Sequence, residues 1–185
     1  NSFKQVTSKV ENMDKMFCSS NFDGDISKWI TSKVTRMSSM FASTPNFNGD
    51  LSKWDTSSVV DMDHMFNQAK QFSPASLNWN TEKVTIMRKM FVETTQFNAD
   101  IANWNTERVT KMDSMFYKAA AFNSDVSKWQ TSKVENMAFL FQECPKFNSE
   151  LANWDTSRVT NMMQMFHKTH VFNQDLSKWD VSNVE

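Results

Sequence analysis

Large apolar residues recur along the chain at one fixed interval of 25 residues. Val follows each Trp by five residues, and two Met columns and two Phe columns keep the same interval. The unit reads approximately W-D-T-S-K-V-T-x-M-x-x-M-F-x-x-A-x-x-F-N-x-D-L-S-K. A constant period of this length indicates a repeat protein, in which stacked units bury a shared core. The Trp column consists of Trp29, Trp54, Trp79, Trp104, Trp129, Trp154 and Trp179.

The repeat divides the chain into one continuous array. Six repeats cover residues 29–178, a partial repeat covers 1–28 with one residue deleted, and a further repeat starts at 179–185. No shift in composition interrupts the array. The sequence therefore predicts a single repeat domain over residues 1–185.

Two hydrophobic periods alternate within each unit. Leu51, Trp54 and Thr56 fit a strand, because Trp and Thr two residues apart share one face. Apolar residues over 59–69 then step by three and four, which favours a short helix. The predicted fold is an α/β solenoid with one short parallel strand and one short helix per 25-residue repeat. Residues 72–77 lose the Asn-x-Asp turn of the other units, which predicts a local irregularity there.

The segments "FNQDLSKWDVSNV" and "VTNMMQMF" resemble the repeat of bacterial surface proteins and mycoplasma lipoproteins, grouped with BspA-like leucine-rich-repeat proteins. The motif L-x-x-W-x-T stands where that family's leucine-rich strand would lie. The resemblance implies a right-handed, curved, leucine-rich-repeat-like array with a parallel sheet on one face. It also implies adhesion or recognition at a cell surface or in the extracellular space.

Composition narrows the class of partner and of activity. A net charge of −1 argues against a protein that binds nucleic acid through a basic patch. No apolar stretch is long enough for a transmembrane helix. No nucleophile-base pair, phosphate-binding loop or cofactor motif stands out from the repeat, so we expect neither an enzyme nor a bound cofactor or metal.

The Cys and His residues give only weak indications of a disulfide or a metal site. Cys18 and Cys144 lie five repeats apart, too far for a disulfide in a stacked array, and we expect a buried Cys144 and an exposed Cys18. His167 and His170 have a helical metal-binding spacing, but no third ligand recurs with them.

Two polar columns could also bind a ligand. The acidic column at Asp25, Asp50 and equivalent positions could suggest calcium, although capping of backbone N–H groups in turns is the stronger interpretation. The Thr column at Thr31, Thr56 and equivalent positions could suggest ice binding. Because Thr shares the face of the core Trp, we instead expect it to be buried.

The positions that flank each Trp are the candidate binding surface, since stacked repeats bind partners along such faces. They are polar, of mixed charge and rich in amides, which suits a protein or carbohydrate partner. The candidate binding residues are Lys53, Asp55, Asn80, Asn105, Gln130, Asp155 and Asp180.

A structural role is the alternative function. The repeat pattern begins within a unit and ends within one, and neither end shows a polar cap of the kind that terminal repeats usually need. The chain could therefore be a scaffold or linker subunit that packs into a larger assembly through its open ends.

Overall fold

Successive repeats stack in register in the computed structural model, which describes residues 7–185. Single parallel bridges join neighbouring repeats at a position two residues after the Val column. The first bridge joins residues that are 24 positions apart rather than 25, in agreement with the one residue deleted from the N-terminal repeat. The bridges are Asn12–Arg36, Arg36–Asp61, Asp61–Ile86, Ile86–Lys111, Lys111–Asn136 and Asn136–Asn161, with an additional one at Ser76–Asp100.

The prediction of an α/β solenoid with a strand and a helix in each repeat is wrong. Within residues 7–185 there is no strand longer than a single bridge, and helical geometry occurs only at Thr7. The predicted strand at 51–56 forms no bridge, and the bridge of that repeat lies at Asp61 instead. The array is therefore built from turns that bond to their neighbours. The parallel sheet implied by the leucine-rich-repeat resemblance does not form within residues 7–185.

Alternating hydrogen bonds explain why residues 62–69 do not form a helix. The N–H groups of Met62, His64, Phe66 and Gln68 donate to carbonyls 24 residues later, at 2.7–3.0 Å. The N–H groups of Met65, Asn67 and Ala69 donate within the repeat to the carbonyl three positions earlier, as from Met65 to Met62 at 3.2 Å. The N–H of Asp63 donates to Asp61 Oδ1 at 2.9 Å. An α-helix would instead direct every N–H to its own preceding turn. Half of these donors thus join one repeat to the next.

The same segment contains left-handed residues that a helix excludes. His64 has a φ of 55° and Gln68 a φ of 61°, each at the third position of a four-residue turn, as in type II turns. Equivalent positive φ values recur in every repeat from Lys15 to Lys168, and no Gly occupies them. Each such residue costs about 1–2 kcal/mol in the left-handed conformation, so stacking of the repeats has to offset this strain.

The apolar columns form the core that supplies this stacking energy. Phe41, Phe66 and Phe91 are fully buried, and neighbouring rings of this column lie 5.5–5.7 Å apart. Within a repeat, the second Phe lies against the first, as Phe72 does against Phe66 at 4.0 Å. Runs of four-residue turns and an α-helix both place residues three and four apart on one side. The apolar spacing therefore identified the buried positions but not the backbone conformation.

The irregularity predicted at residues 72–77 is confirmed. Ser76 forms a bridge with Asp100 that no other repeat has at this position within residues 7–185, and Leu77 N–H donates to Asp100 O at 3.1 Å. Leu77 lies one residue later in its repeat than the equivalent Leu51, but it is still buried, so the core keeps this side chain.

Candidate functional site

The predicted binding residues are all exposed, and six of the seven occupy the same position in consecutive repeats. Each of those six directly follows a Trp, and the Trp side chains from Trp54 to Trp154 are almost entirely buried. We term this set the polar row; it comprises Lys53, Asp55, Asn80, Asn105, Gln130, Asp155 and Asp180.

Buried threonines hold the backbone of the polar row in place. Thr31 Oγ1 donates to Asp55 O at 2.9 Å, and Thr106 Oγ1 donates to Gln130 O at 3.0 Å. The same bond recurs from each Thr to the next repeat. The Thr column is buried as predicted, so it does not form an ice-binding surface. Its hydroxyls instead tie the core of one repeat to the exposed row of the next.

Most side chains of the polar row also cap their own turns. Asp55 Oδ1 accepts a hydrogen bond from Ser57 N–H at 3.0 Å, and Asn80, Asn105, Asp155 and Asp180 do the same two residues ahead. The hydroxyl and N–H of the capped Ser hold the pKa of Asp55, Asp155 and Asp180 below its ordinary value. One oxygen of each of these side chains is therefore structural, although the residues themselves are exposed.

Gln130 lies at the centre of an open depression in this surface, with a volume of about 670 Å³. Its side chain caps no turn, in contrast to the Asp and Asn residues of the row. Lys128 and Asn153 extend the depression on either side, and Glu107 and Asp155 give it mixed charge. The depression is lined by Glu107, Ser127, Lys128, Trp129, Gln130, Thr131, Ser132, Asn153 and Asp155.

The two cysteines are both free. Cys144 is buried as predicted, and its Sγ donates to Phe116 O at 2.9 Å. Burial raises the pKa of Cys144 to about 12, which makes it a poor nucleophile. Cys18 is half-buried, whereas the sequence predicted an exposed side chain.

Most of the remaining candidate ligands make hydrogen bonds within the array. His167 Nδ1 lies 3.1 Å from Gln142 Nε2, and no group of three metal-ligating side chains comes together in the part of the chain described here. The acidic column caps turns as predicted, because Asp25 Oδ1 accepts from Ser27 N–H and Asp50 Oδ1 from Ser52 N–H, both at 2.9 Å.

One surface feature escaped the sequence reasoning. Tyr117 and Phe139 line a second depression, of about 470 Å³, on the segment of consecutive turns. Two features of the sequence could have indicated this depression: Phe139 lies outside both Phe columns, and Tyr117 is the chain's single Tyr.

Comparison with known proteins identifies a family but no characterised relative. The model of the family described as "Mycoplasma protein of unknown function, DUF285" matches residues 3–91, 74–152 and 124–185 in tandem. No curated protein and no solved structure gives a significant match. Within residues 7–185 no helix has the length and apolar character needed to cross a bilayer.

Proposed function

The chain belongs to the mycoplasma repeat family of unknown function DUF285, and we propose that it is a non-catalytic module that recognises a polar partner through the polar row. The observation that carries this proposal is the depression of about 670 Å³ around Gln130, at the centre of a row repeated in register. A partner with a matching repeat of polar groups could bind several units of the row at once.

The chemistry of the row favours binding over catalysis. A general acid or base works best with a pKa near the operating pH. The pKa values of Asp55, Asp155 and Asp180 are instead lowered by their turn-capping hydrogen bonds. These carboxylates would remain ionised acceptors near neutral pH.

A protein partner fits the row better than a glycan. The depression combines Lys128 with Glu107 and Asp155, and its Trp129 is buried. Mixed charges complement the polar surface of another protein and favour orientation and specificity. A sugar ring would lack an exposed aromatic face at this place. We therefore take a protein as the main candidate and a carbohydrate as the alternative.

Substitution of Lys128 and Gln130 by Ala tests this function. Neither side chain caps a turn, so the double variant should fold normally and lose binding to a panel of immobilised extracellular-matrix proteins and polysaccharides. Gln71→Ala is the matched control, because Gln71 is an exposed Gln away from the depression. Binding that survives in the double variant would contradict recognition through the polar row.

We also propose that the protein acts at a cell surface or in the extracellular space. The support is the resemblance of its repeat to those of mycoplasma lipoproteins and bacterial surface proteins. Antibody labelling of intact and permeabilised cells of the source organism tests it. Labelling only after permeabilisation would contradict a surface location.

The alternative function as a scaffold has an observation of its own. In the last described repeat, the N–H groups of Met162, Gln164, Phe166 and Lys168 have no acceptor within residues 7–185, although their equivalents bond to the next repeat. Met163 is 53% exposed in this repeat, and Val181 is 57% exposed in the unit that follows. This surface would fit a further repeat of the same unit, in the same polypeptide or in a second copy.

Light scattering over a concentration series tests end-on packing. A second copy bound at this surface would raise the mean mass with concentration, and Met163→Glu with Val181→Glu should suppress the increase. Val60→Glu is the matched control, because Val60 is also exposed but lies within the array. A constant monomer mass would contradict packing through this end.

A further inference from the structure

The second depression lies on the segment of consecutive turns and shares no lining residue with the depression around Gln130. Its volume of about 470 Å³ falls in the range of small-molecule sites. The residues that give it its chemistry are Lys89, Ser114, Tyr117, Phe139, Gln142 and Gln164. We term it the turn depression.

Phe139 occupies a position where the fold does not require an aromatic ring. Its column holds Lys89, Ser114 and Gln164 in other repeats, and Phe139 has a φ of 60° there. Positive φ is shared by the whole column, but a bulky side chain is disfavoured in that conformation, and the other repeats place smaller or polar residues there. Phe139 is half-buried, and its ring lines the depression rather than the core. The ring is therefore better explained by a ligand than by folding.

Tyr117 and Ser114 complete the shape of the depression. Tyr117 is half-buried, and its position holds Val92 and Gln142 in the adjacent repeats. Ser114 is buried and small, between Lys89 and Phe139 in its column, so it leaves room beneath the two rings. Lys118 Nζ lies 5.0 Å from the centroid of the Tyr117 ring and fixes one side of it.

Amide groups supply both a donor and an acceptor beside the rings. Gln142 Nε2 donates to Gln164 Oε1 at 2.9 Å and also lies 3.1 Å from His167 Nδ1. Gln142 Oε1 and Gln164 Nε2 have no hydrogen-bond partner among residues 7–185. One is an acceptor and the other a donor, and a hydroxyl group can pair with both kinds of atom.

The charges of the lining argue against ionic ligands. No carboxylate lines the turn depression, which disfavours a cation. Lys89 is the one Lys or Arg side chain of the lining, and no carboxylate pairs with it within residues 7–185. A single ammonium group is a weak basis for binding an anion. The lining suits an uncharged molecule with one apolar face and several hydroxyls.

We propose that the turn depression binds a neutral pyranose ring of a carbohydrate. The C–H groups of one sugar face pack on Phe139 and Tyr117, and the ring hydroxyls bond to Gln142 Oε1 and Gln164 Nε2. This site goes beyond the function proposed for the polar row, because it lies on a different segment of the repeat and takes a different ligand.

Isothermal titration with defined oligosaccharides tests the site. The probes are cellohexaose, laminarihexaose, maltohexaose and chitohexaose, with an oligogalacturonate as the charged comparison. The variants are Phe139→Gln and Tyr117→Asn, because the chain itself has Gln164 and Asn67 at the equivalent positions. The exchange should preserve the fold, which circular dichroism and the unfolding midpoint confirm.

At least one neutral probe should bind, and each variant should weaken it about tenfold through loss of a ring contact. Gln71→Ala should leave this affinity unchanged, because Gln71 is exposed and lines neither depression. The proposal is overturned if the wild type binds no neutral probe, binds only the galacturonate, or binds equally well without the rings. Failure of the function proposed for the polar row would appear in a different measurement, which is the binding of the Lys128 and Gln130 variants to protein partners.

Discussion

Thr106 and Gln130 exchange two hydrogen bonds across neighbouring repeats. Thr106 Oγ1 donates to Gln130 O at 3.0 Å and accepts from Gln130 N–H at 2.8 Å. Thr106 is 1% exposed, whereas Gln130 lies at the surface in the centre of the polar row. A single hydroxyl thus couples the core of one repeat to the candidate binding surface of the next.

Removal of this hydroxyl should destabilise the array. Thr106→Val keeps the side-chain volume but leaves both backbone groups of Gln130 without their partner, at a cost of about 1–2 kcal/mol. Thr106→Ser keeps the hydroxyl and should lose about 0.8 kcal/mol for the missing methyl group. Urea unfolding measures both. A Val variant as stable as the wild type would show that these bonds contribute nothing to stability.

The left-handed turn residues predict an unusual response to glycine. Ser39 has a φ of 55°, so Ser39→Gly should be more stable than Ser39→Ala by about 1 kcal/mol, because only Gly adopts this conformation without strain. In a helix the order would be reversed, since Ala exceeds Gly there by about 1 kcal/mol. Thermal unfolding of the two variants distinguishes the conformations. A more stable Ala variant would contradict the turn structure.

The period of 25 residues was sufficient to predict the buried positions but not the backbone. Phe66 and Trp54 are buried as expected, because any stacked repeat must cover its recurring large apolar residues. The three- and four-residue steps over 59–69 fit both a helix and a run of turns. The residues that would have separated the two, such as His64 and Gln68, are not Gly, so their positive φ left no signal in the sequence.

The sequence also predicted only part of the candidate site: which side chains are exposed, but not what they bond to. Exposure of Gln130 followed from its place beside the buried Trp129, and that alternation holds in turns as well as in strands. The capping role of Asp55 was not predicted, because it depends on a turn where a strand was expected. The turn depression at Phe139 was missed for the same reason, since a helix would have arranged these side chains differently.

The ion pair between Arg88 and Asp63 predicts a loss of stability in acid. Arg88 Nε and Nη2 donate to the two Asp63 oxygens at 3.1 and 2.9 Å. Burial alone would raise the pKa of Asp63, but hydrogen bonds from His64 and Arg88 outweigh it and lower the pKa. The stabilisation is complete above the unfolded pKa of about 3.9 and is lost as the pH falls towards the lower folded value.

Asp63→Asn should therefore be less stable than the wild type at neutral pH, by about 1–2 kcal/mol given the partial exposure of Arg88. The difference should shrink as the pH falls below about 4. Urea unfolding at several pH values measures it. A difference independent of pH would mean that the charge of Asp63 is not responsible.

Asp113 should respond in the opposite direction. Burial raises its pKa, and the nearby Arg88 compensates only in part. A raised folded pKa means that the ionised form opposes folding, and stability is lost as the pH rises through that value. Asp113→Asn should increase stability at neutral pH and give no gain in acid, where the carboxyl is protonated in both states. A less stable variant at neutral pH would show that attraction to Arg88 outweighs burial.

The two thiols should differ sharply in reactivity. Burial raises the pKa of Cys144 to about 12, so the native protein should expose only Cys18 to a disulfide reagent at pH 8. We expect one thiol to react in the native state and two in denaturant, followed by the absorbance of the released thiolate. Cys18→Ser should abolish the rapid native reaction.

Cys144→Thr should preserve the fold and remove the slow thiol. Thr44 and Thr94 occupy the equivalent position, and each donates at 2.7 Å to the carbonyl that corresponds to Phe116 O, the acceptor of the Cys144 thiol. A hydroxyl is a stronger donor than a thiol, so the variant should be at least as stable as the wild type in urea. Rapid reaction of two thiols in the native protein, or unfolding of the Thr variant, would contradict the structural role assigned to Cys144.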